Sequence, residues 1–300
     1  MSEAGRQAVH RIRTPDGRTI RAFDGGDPEG APFIYHHGTP LCGRLPAHVV
    51  DDVAAHGLRV ITYDRPGYGE SSRLPGLRVG SSALDMQAVA DHFELGRFAT
   101  AGVSGGGPHV LAGAALLPDR VVAAAVVAGD APFDAEGLDW FAGMGDLNTE
   151  ERDVMEQGEE VYHAYLREQA TELAGSTPDE LRQAMASLLS PVDSAALTGE
   201  VITHMHATMT EALANGIEGW ADESAAVYEP WGFDVSSIDM PVRIWHGEHD
   251  RFVPVAHGRW LAQHIPGARF DLRPDDGHVS LIESSPSEVH AWLAERLAAV

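Results

Sequence analysis

A short apolar run, FATAGV at 98–103, enters a turn crowded with glycine, and a helix-forming run, HVLAGAALL, leaves it. The same strand-to-helix change recurs along the chain. FIY (33–35), LRVITY (58–63), VVAAAVVAG (121–129), VRIWHG (242–247) and ARFDLR (268–273) read as buried strands. The stretches 47–56, 81–95, 106–117, 256–265 and 286–298 between or after them read as helices. Strand and helix in alternation predict an α/β fold, a mostly parallel central sheet with helices on both faces. Ahead of these units, Ala8 to Asp24 alternates polar and apolar residues around Asp16-Gly17, the pattern of a hairpin.

Between residues 134 and 234 the pattern changes. This segment reads as helical throughout, with Val154, Val161, Tyr162, Tyr165 and Leu173 at helix spacing. Thr177-Pro178-Asp179-Glu180 has the order of a cap, a proline at the first helical position and an acidic first turn. Of the chain's 45 acidic and 21 basic residues, 134–234 holds 22 and 3, a charge of -19 out of -24. A helical layer so acidic stands apart from the sheet. The expected division is therefore a core of 1–133 and 235–300 with an inserted helical cap, or lid, at 134–234.

Every basic residue is arginine. Without lysine the chain cannot form a Schiff base or a Walker-type phosphate loop. Its negative field disfavours nucleic acid and anionic membranes as partners. The single cysteine, Cys42, cannot make an internal disulfide, and MSEAGRQAVHRIR lacks the apolar core of a signal peptide, so a cytoplasmic location is expected.

The glycine-crowded turn raises a chemical question. Gly102-Val103-Ser104-Gly105-Gly106 fits Gly-x-Ser-x-Gly, the spacing that lets a strained serine project between a strand and a helix. Such a serine needs a base, and the base needs an orienting carboxylate. Later strands supply both at their ends: Asp250 follows VRIWHG and His278 follows ARFDLR. A tetrahedral intermediate also needs oxyanion donors. Gly105 N–H lies beside the serine, and Thr39 N–H in FIYHHGTPLCG is the candidate second donor, with Gly38 giving the backbone room.

HHGTP, DRPGYGESS, GVSGGG and the late HGEHD and GH all lie within 33–285, and the chain resembles an α/β-hydrolase. The resemblance implies Ser104 as nucleophile, Asp250 as acid, His278 as base and Thr39 with Gly105 as oxyanion hole. It implies a cap where 134–234 is inserted, and no cofactor or metal. Serine in place of aspartate disfavours dehalogenase and epoxide hydrolase chemistry.

The expected activity is cleavage of small-molecule carboxylic esters through an acyl-enzyme. Lactonase, carbon–carbon bond hydrolase and proline-iminopeptidase-like activities are the enzymatic rivals. HGTPL and SGG depart from the last family's His-Gly-Gly-Pro-Gly and the tryptophan after its nucleophile. A non-catalytic ligand-binding protein on the same fold is the rival of another class. Leu41, Trp140, Phe141, Met144 and Trp220 are candidate pocket residues, and Trp231 a further one. Asp130, also just past a strand, is the alternative orienting acid. His204 and His206 point to different helix faces, so no metal is expected there. The substrate is expected to be a neutral or cationic small molecule, and the protein a monomer or homodimer.

Overall fold

The computed structural model describes residues 7–299. The first six residues of MSEAGRQAVHRIR lie outside the described residues. Eight strands form one sheet: β1 (Ala8–Arg13), β2 (Thr19–Gly26), β3 (Ala31–His36), β4 (Leu58–Tyr63), β5 (Phe98–Val103), β6 (Val121–Val127), β7 (Val242–Gly247) and β8 (Arg269–Arg273). Their order is β1-β2-β4-β3-β5-β6-β7-β8. The first two are the predicted hairpin, with Gly17 in the left-handed region at its turn, and β2 runs antiparallel to β4. From β4 to β8 all neighbours are parallel.

Helices cover both faces, which is why the central strands are apolar throughout rather than alternating. On one face α1 (Ala47–Ala55) packs with the last helix, here α12 (Pro286–Ala298). There Val53, Ala99, Ala101, Val127, Trp245 and Leu293 share a core. The other face carries α2 (Ser82–His92), whose Met86 and Val89 pack with Ile34 and Ile61, and α3 (Gly107–Leu116) and α10 (Val255–His264), whose Val110, Leu111 and Leu261 pack with Val126 and Ile244. The run Ala123-Ala124-Ala125 in β6 is fully buried, since α3 approaches one side and α12 the other.

Between β6 and β7 lie six helices: α4 (Asp146–Met155), α5 (Glu159–Gly175), α6 (Pro178–Ala184), α7 (Pro191–Ala196), α8 (Glu200–Ala212) and α9 (Glu218–Val227). The segment is not helical throughout, as its sequence had suggested. Residues 134–145 are turns held to the core, where Trp140 Nε1 donates to Ala131 O at 2.9 Å. Gly158, at φ 113°, separates α4 from α5, and Val161 is exposed rather than on a buried face. The cap at Thr177 is as expected. Thr177 N–H donates to Glu180 Oε2 at 2.7 Å, and Glu180 N–H donates to Thr177 Oγ1 at 3.3 Å. No helix among the described residues is long and apolar enough to cross a membrane.

Candidate active site

β3 is bonded to β4 on one side and to β5 on the other, so the chain reverses its direction of winding between β3 and β5. A crevice opens at such a point beyond the carboxyl ends of the strands. Ser104 follows the last residue of β5 there, with φ at +52°, a region a side chain with Cβ rarely adopts. Its neighbours explain the glycines. A Cβ on Gly106 would strike the His36 carbonyl and stand 2.8 Å from His37 O. A Cβ on Gly105 would collide with Thr39 Oγ1 and lie 3.4 Å from Thr39 N. The loop after β3 is thus packed directly on the serine turn. Gly38 is close enough that a Cβ on it would stand 3.4 Å from Ser104 Cβ.

Asp250 and His278 come from the ends of β7 and β8. His278 Nδ1 donates to Asp250 Oδ2 at 2.7 Å, and both residues are buried. The other oxygen, Asp250 Oδ1, accepts from Phe252 N–H at 2.9 Å and Val253 N–H at 2.8 Å, so the carboxylate is fixed in direction. His278 opens a short helix, α11 (His278–Ser284), rather than lying in an open loop. Phe252 stacks on its ring at 4.6 Å. Burial pulls the imidazole down, but the charge and hydrogen bond of Asp250 outweigh it, and His278 is raised above the ordinary 6.5. Ser104 and His278 face one cavity, with no hydrogen bond between them among the described residues. Such bonds often tighten only when substrate binds.

Asp130 lies past β6 and is not the partner of His278. It is buried at the cavity wall, and burial pushes its carboxyl up to about 7.

The cavity measures about 660 Å³, within the usual range for a small-molecule site. Leu41, Trp140, Met144 and Trp220 line it. Phe141 does not. It sits behind Trp140, with ring centroids 4.9 Å apart, and under Arg152. Trp231 is a core residue, 3% exposed among the side chains around α3 and α10. His204 lines the cavity, whereas His206 turns to Ser176, at 3.3 Å.

Several residues at the site were not singled out from sequence. Asp193 of α7 is fully buried, and its Oδ1 accepts the Ser280 N–H at 3.0 Å, two residues beyond the histidine. Glu223 of α9 is also buried and pairs with Arg65 at 2.6 Å. Arg65 and Tyr68 stood inside the quoted DRPGYGESS, but nothing in that string gave them a role. Asp193 and Glu223 were two acids among 22 in the insertion, with no local signal. A further grouping joins α1 to α12: Asp52, His56 and His290 offer atoms within 4.8 Å of one another. His290 Nδ1 and His56 Nδ1 are already bonded to Asp52, at 2.6 Å to Oδ2 and 2.8 Å to O respectively.

The family model for the alpha/beta hydrolase fold matches residues 31–285. The chain belongs to the α/β-hydrolase fold family. Among its curated relatives, a non-heme chloroperoxidase from Streptomyces lividans is 28% identical over 261 residues, covering 82% of this chain and 83% of that one. A pimeloyl-[acyl-carrier protein] methyl ester esterase from Chromobacterium violaceum is 29% identical over 279 residues, covering 90% and 95%. A solved hydrolase from Pseudomonas aeruginosa superposes on this α/β hydrolase with a TM-score of 0.69. It is 19% identical and covers 96% and 98% of the two chains, a likeness of fold.

Proposed function

We propose that this α/β hydrolase cleaves carboxylic esters of small molecules through an acyl-enzyme on Ser104. The observation that carries the reading is the 2.7 Å bond from His278 Nδ1 to Asp250, in the same cavity as a serine held at positive φ. His278 takes the Ser104 proton as Oγ attacks the carbonyl carbon, and Asp250 holds the imidazole in the tautomer that can accept it. The negative charge that forms on the carbonyl oxygen is met by the N–H groups of Thr39 and Gly105. The leaving alcohol takes the proton from His278, and a water deprotonated by the same histidine then releases the acid. The esterase among the relatives supports an ester as the bond cleaved. The chloroperoxidase name makes hydrogen peroxide a worthwhile second acceptor, since its attack on the acyl-enzyme would release a peracid in place of the acid.

The wall of the cavity carries the carboxyls of Asp130, Glu151, Glu172, Glu180 and Glu283, against Arg44 as the one arginine lining it among the described residues. We infer a substrate that is neutral or cationic. The test is a panel of small esters of matched size with neutral, cationic and anionic acyl groups, run beside a lactone and a prolyl arylamide. Hydrolysis of neutral and cationic esters, lost in Ser104→Ala and at least about 10-fold slower for the anionic ester, is the expected result. Turnover of the arylamide alone would move the activity to the aminopeptidase class.

A further inference from the structure

Glu223 belongs to α9, in the helical insertion, yet its carboxylate lies among the loops of the sheet edge. Oε1 stands 2.6 Å from Arg65 Nη2 and 2.9 Å from His109 Nε2, and Oε2 accepts the Tyr68 hydroxyl at 2.6 Å. All four side chains are buried. They come from three places: the insertion, the loop after β4, and α3, the helix that follows Ser104.

Arg65 carries the connection onward. Its Nη1 donates to the His37 carbonyl, its Nη2 reaches Thr39 Oγ1 at 3.3 Å, and its backbone N–H donates to His37 Nε2 at 3.3 Å. His37 Nδ1 in turn donates to Gly38 O at 2.8 Å. Two guanidinium contacts and the backbone N–H of Arg65 therefore hold His37 and Thr39, and that guanidinium is paired with one carboxylate. Among the described residues Arg65 Nε has no hydrogen-bond partner, so Glu223 and the His37–Thr39 loop supply the polar contacts of its guanidinium. A buried arginine stripped of its carboxylate would seek another acceptor or admit water.

We propose that Glu223 is a positioning residue for the oxyanion hole: by neutralising and aiming Arg65 it fixes the His37–Thr39 loop against Ser104. The inference rests on the serine-hydrolase reading given above. The helical insertion then does more than roof the cavity. Its docking completes the geometry that stabilises the transition state, so catalysis depends on α9 being seated.

Phosphonylation of Ser104 by a small fluorophosphonate tests this, because the phosphoryl oxygen occupies the oxyanion position. The readouts are the maximal inactivation rate, the reagent concentration at half-maximal rate, and the thermal midpoint of each variant. Glu223→Gln is expected to slow the maximal rate about 10- to 100-fold, part of the 10²–10³ that a lost oxyanion donor costs, with little change in half-saturation. Glu223→Asp, which keeps the charge, recovers part of the rate.

Glu223→Gln also strands a buried cation and lowers the thermal midpoint. Arg65→Met/Glu223→Gln removes both charges. It is expected to regain the thermal midpoint while its rate stays at least about 10-fold below that of the unaltered protein. A double variant that regains both stability and rate would overturn the proposal, making Glu223 a structural partner only. So would Glu223→Gln reacting at the unaltered rate. If the unaltered protein is not labelled at all, the serine-hydrolase reading falls and the proposal falls with it. That outcome is separate from labelling that ignores Glu223.

Discussion

His278 sits within the field of three carboxyls, those of Asp250, Asp193 and Asp130, that have different work. Asp250 bonds it, while Asp130 acts only through space and is itself held near neutrality by burial. In the proposed mechanism the base must be uncharged to take a proton, so activity is expected to rise as pH passes upward through the His278 pKa, which lies above 6.5. Asp250→Asn removes the main cause of that elevation. The expected result is an acid limb displaced to lower pH and a rate about 10³- to 10⁴-fold down. Asp130→Asn is expected to hold the rate within about threefold, with the limb moved slightly down because one negative charge is gone. Rate–pH profiles of the three proteins check this. A collapse of activity in Asp130→Asn with Asp250→Asn unaffected would exchange the roles of the two acids.

Among the elements, β5, the serine turn and α3 are the most constrained. Gly106 has no space for a side chain, since His36 O and His37 O occupy the place of its Cβ. Gly106→Ala must push the loop after β3 away from the serine turn. It is expected to cost about 2–3 kcal/mol in urea unfolding and to lower activity with it. Gly57, at the end of α1, has nothing within 4 Å of its Cβ position. Gly57→Ala carries only the strain of its positive φ, about 1 kcal/mol, and is expected to leave activity intact.

The same contrast explains what the sequence made legible. Ser104, Asp250 and His278 each follow a short apolar run, and the period of such runs locates strand ends without any structure. Leu41, Trp140, Met144 and Trp220 were visible as apolar residues near those ends or in the insertion. Glu223 and Asp193 were not, because a carboxylate on an acidic helix looks the same whether it faces water or a buried arginine. Phe141 and Trp231 failed for a related reason. Neighbours in the chain, such as Trp140 and Phe141, point to different sides of a turn, and only packing decides which meets the cavity. Gly158 broke a run that its apolar residues alone would have continued as one helix.

Across the whole molecule the charge is uneven: -19 of the -24 lies in residues 134–234, and the cavity beneath that segment is acidic too. Such a field raises the local concentration of cations and is weakened by salt, in keeping with a neutral or cationic substrate. Two of the insertion's acids are engaged elsewhere: Asp193 accepts the Ser280 N–H in α11, the helix that His278 opens, and Glu223 pairs with Arg65, which reaches Thr39. The proposed site thus draws on both parts of the chain, with the proposed reacting groups on the sheet edge and some of their contacts on the insertion. All of this presumes that Ser104 is an activated nucleophile. The intact mass of the protein after exposure to a fluorophosphonate, beside Ser104→Ala and His278→Ala, asks that directly. A single adduct that maps to Ser104 and is lost in both variants is the expected result. A folded, unaltered protein that takes up no reagent would contradict it, and the cavity would then be a ligand-binding site on a hydrolase fold.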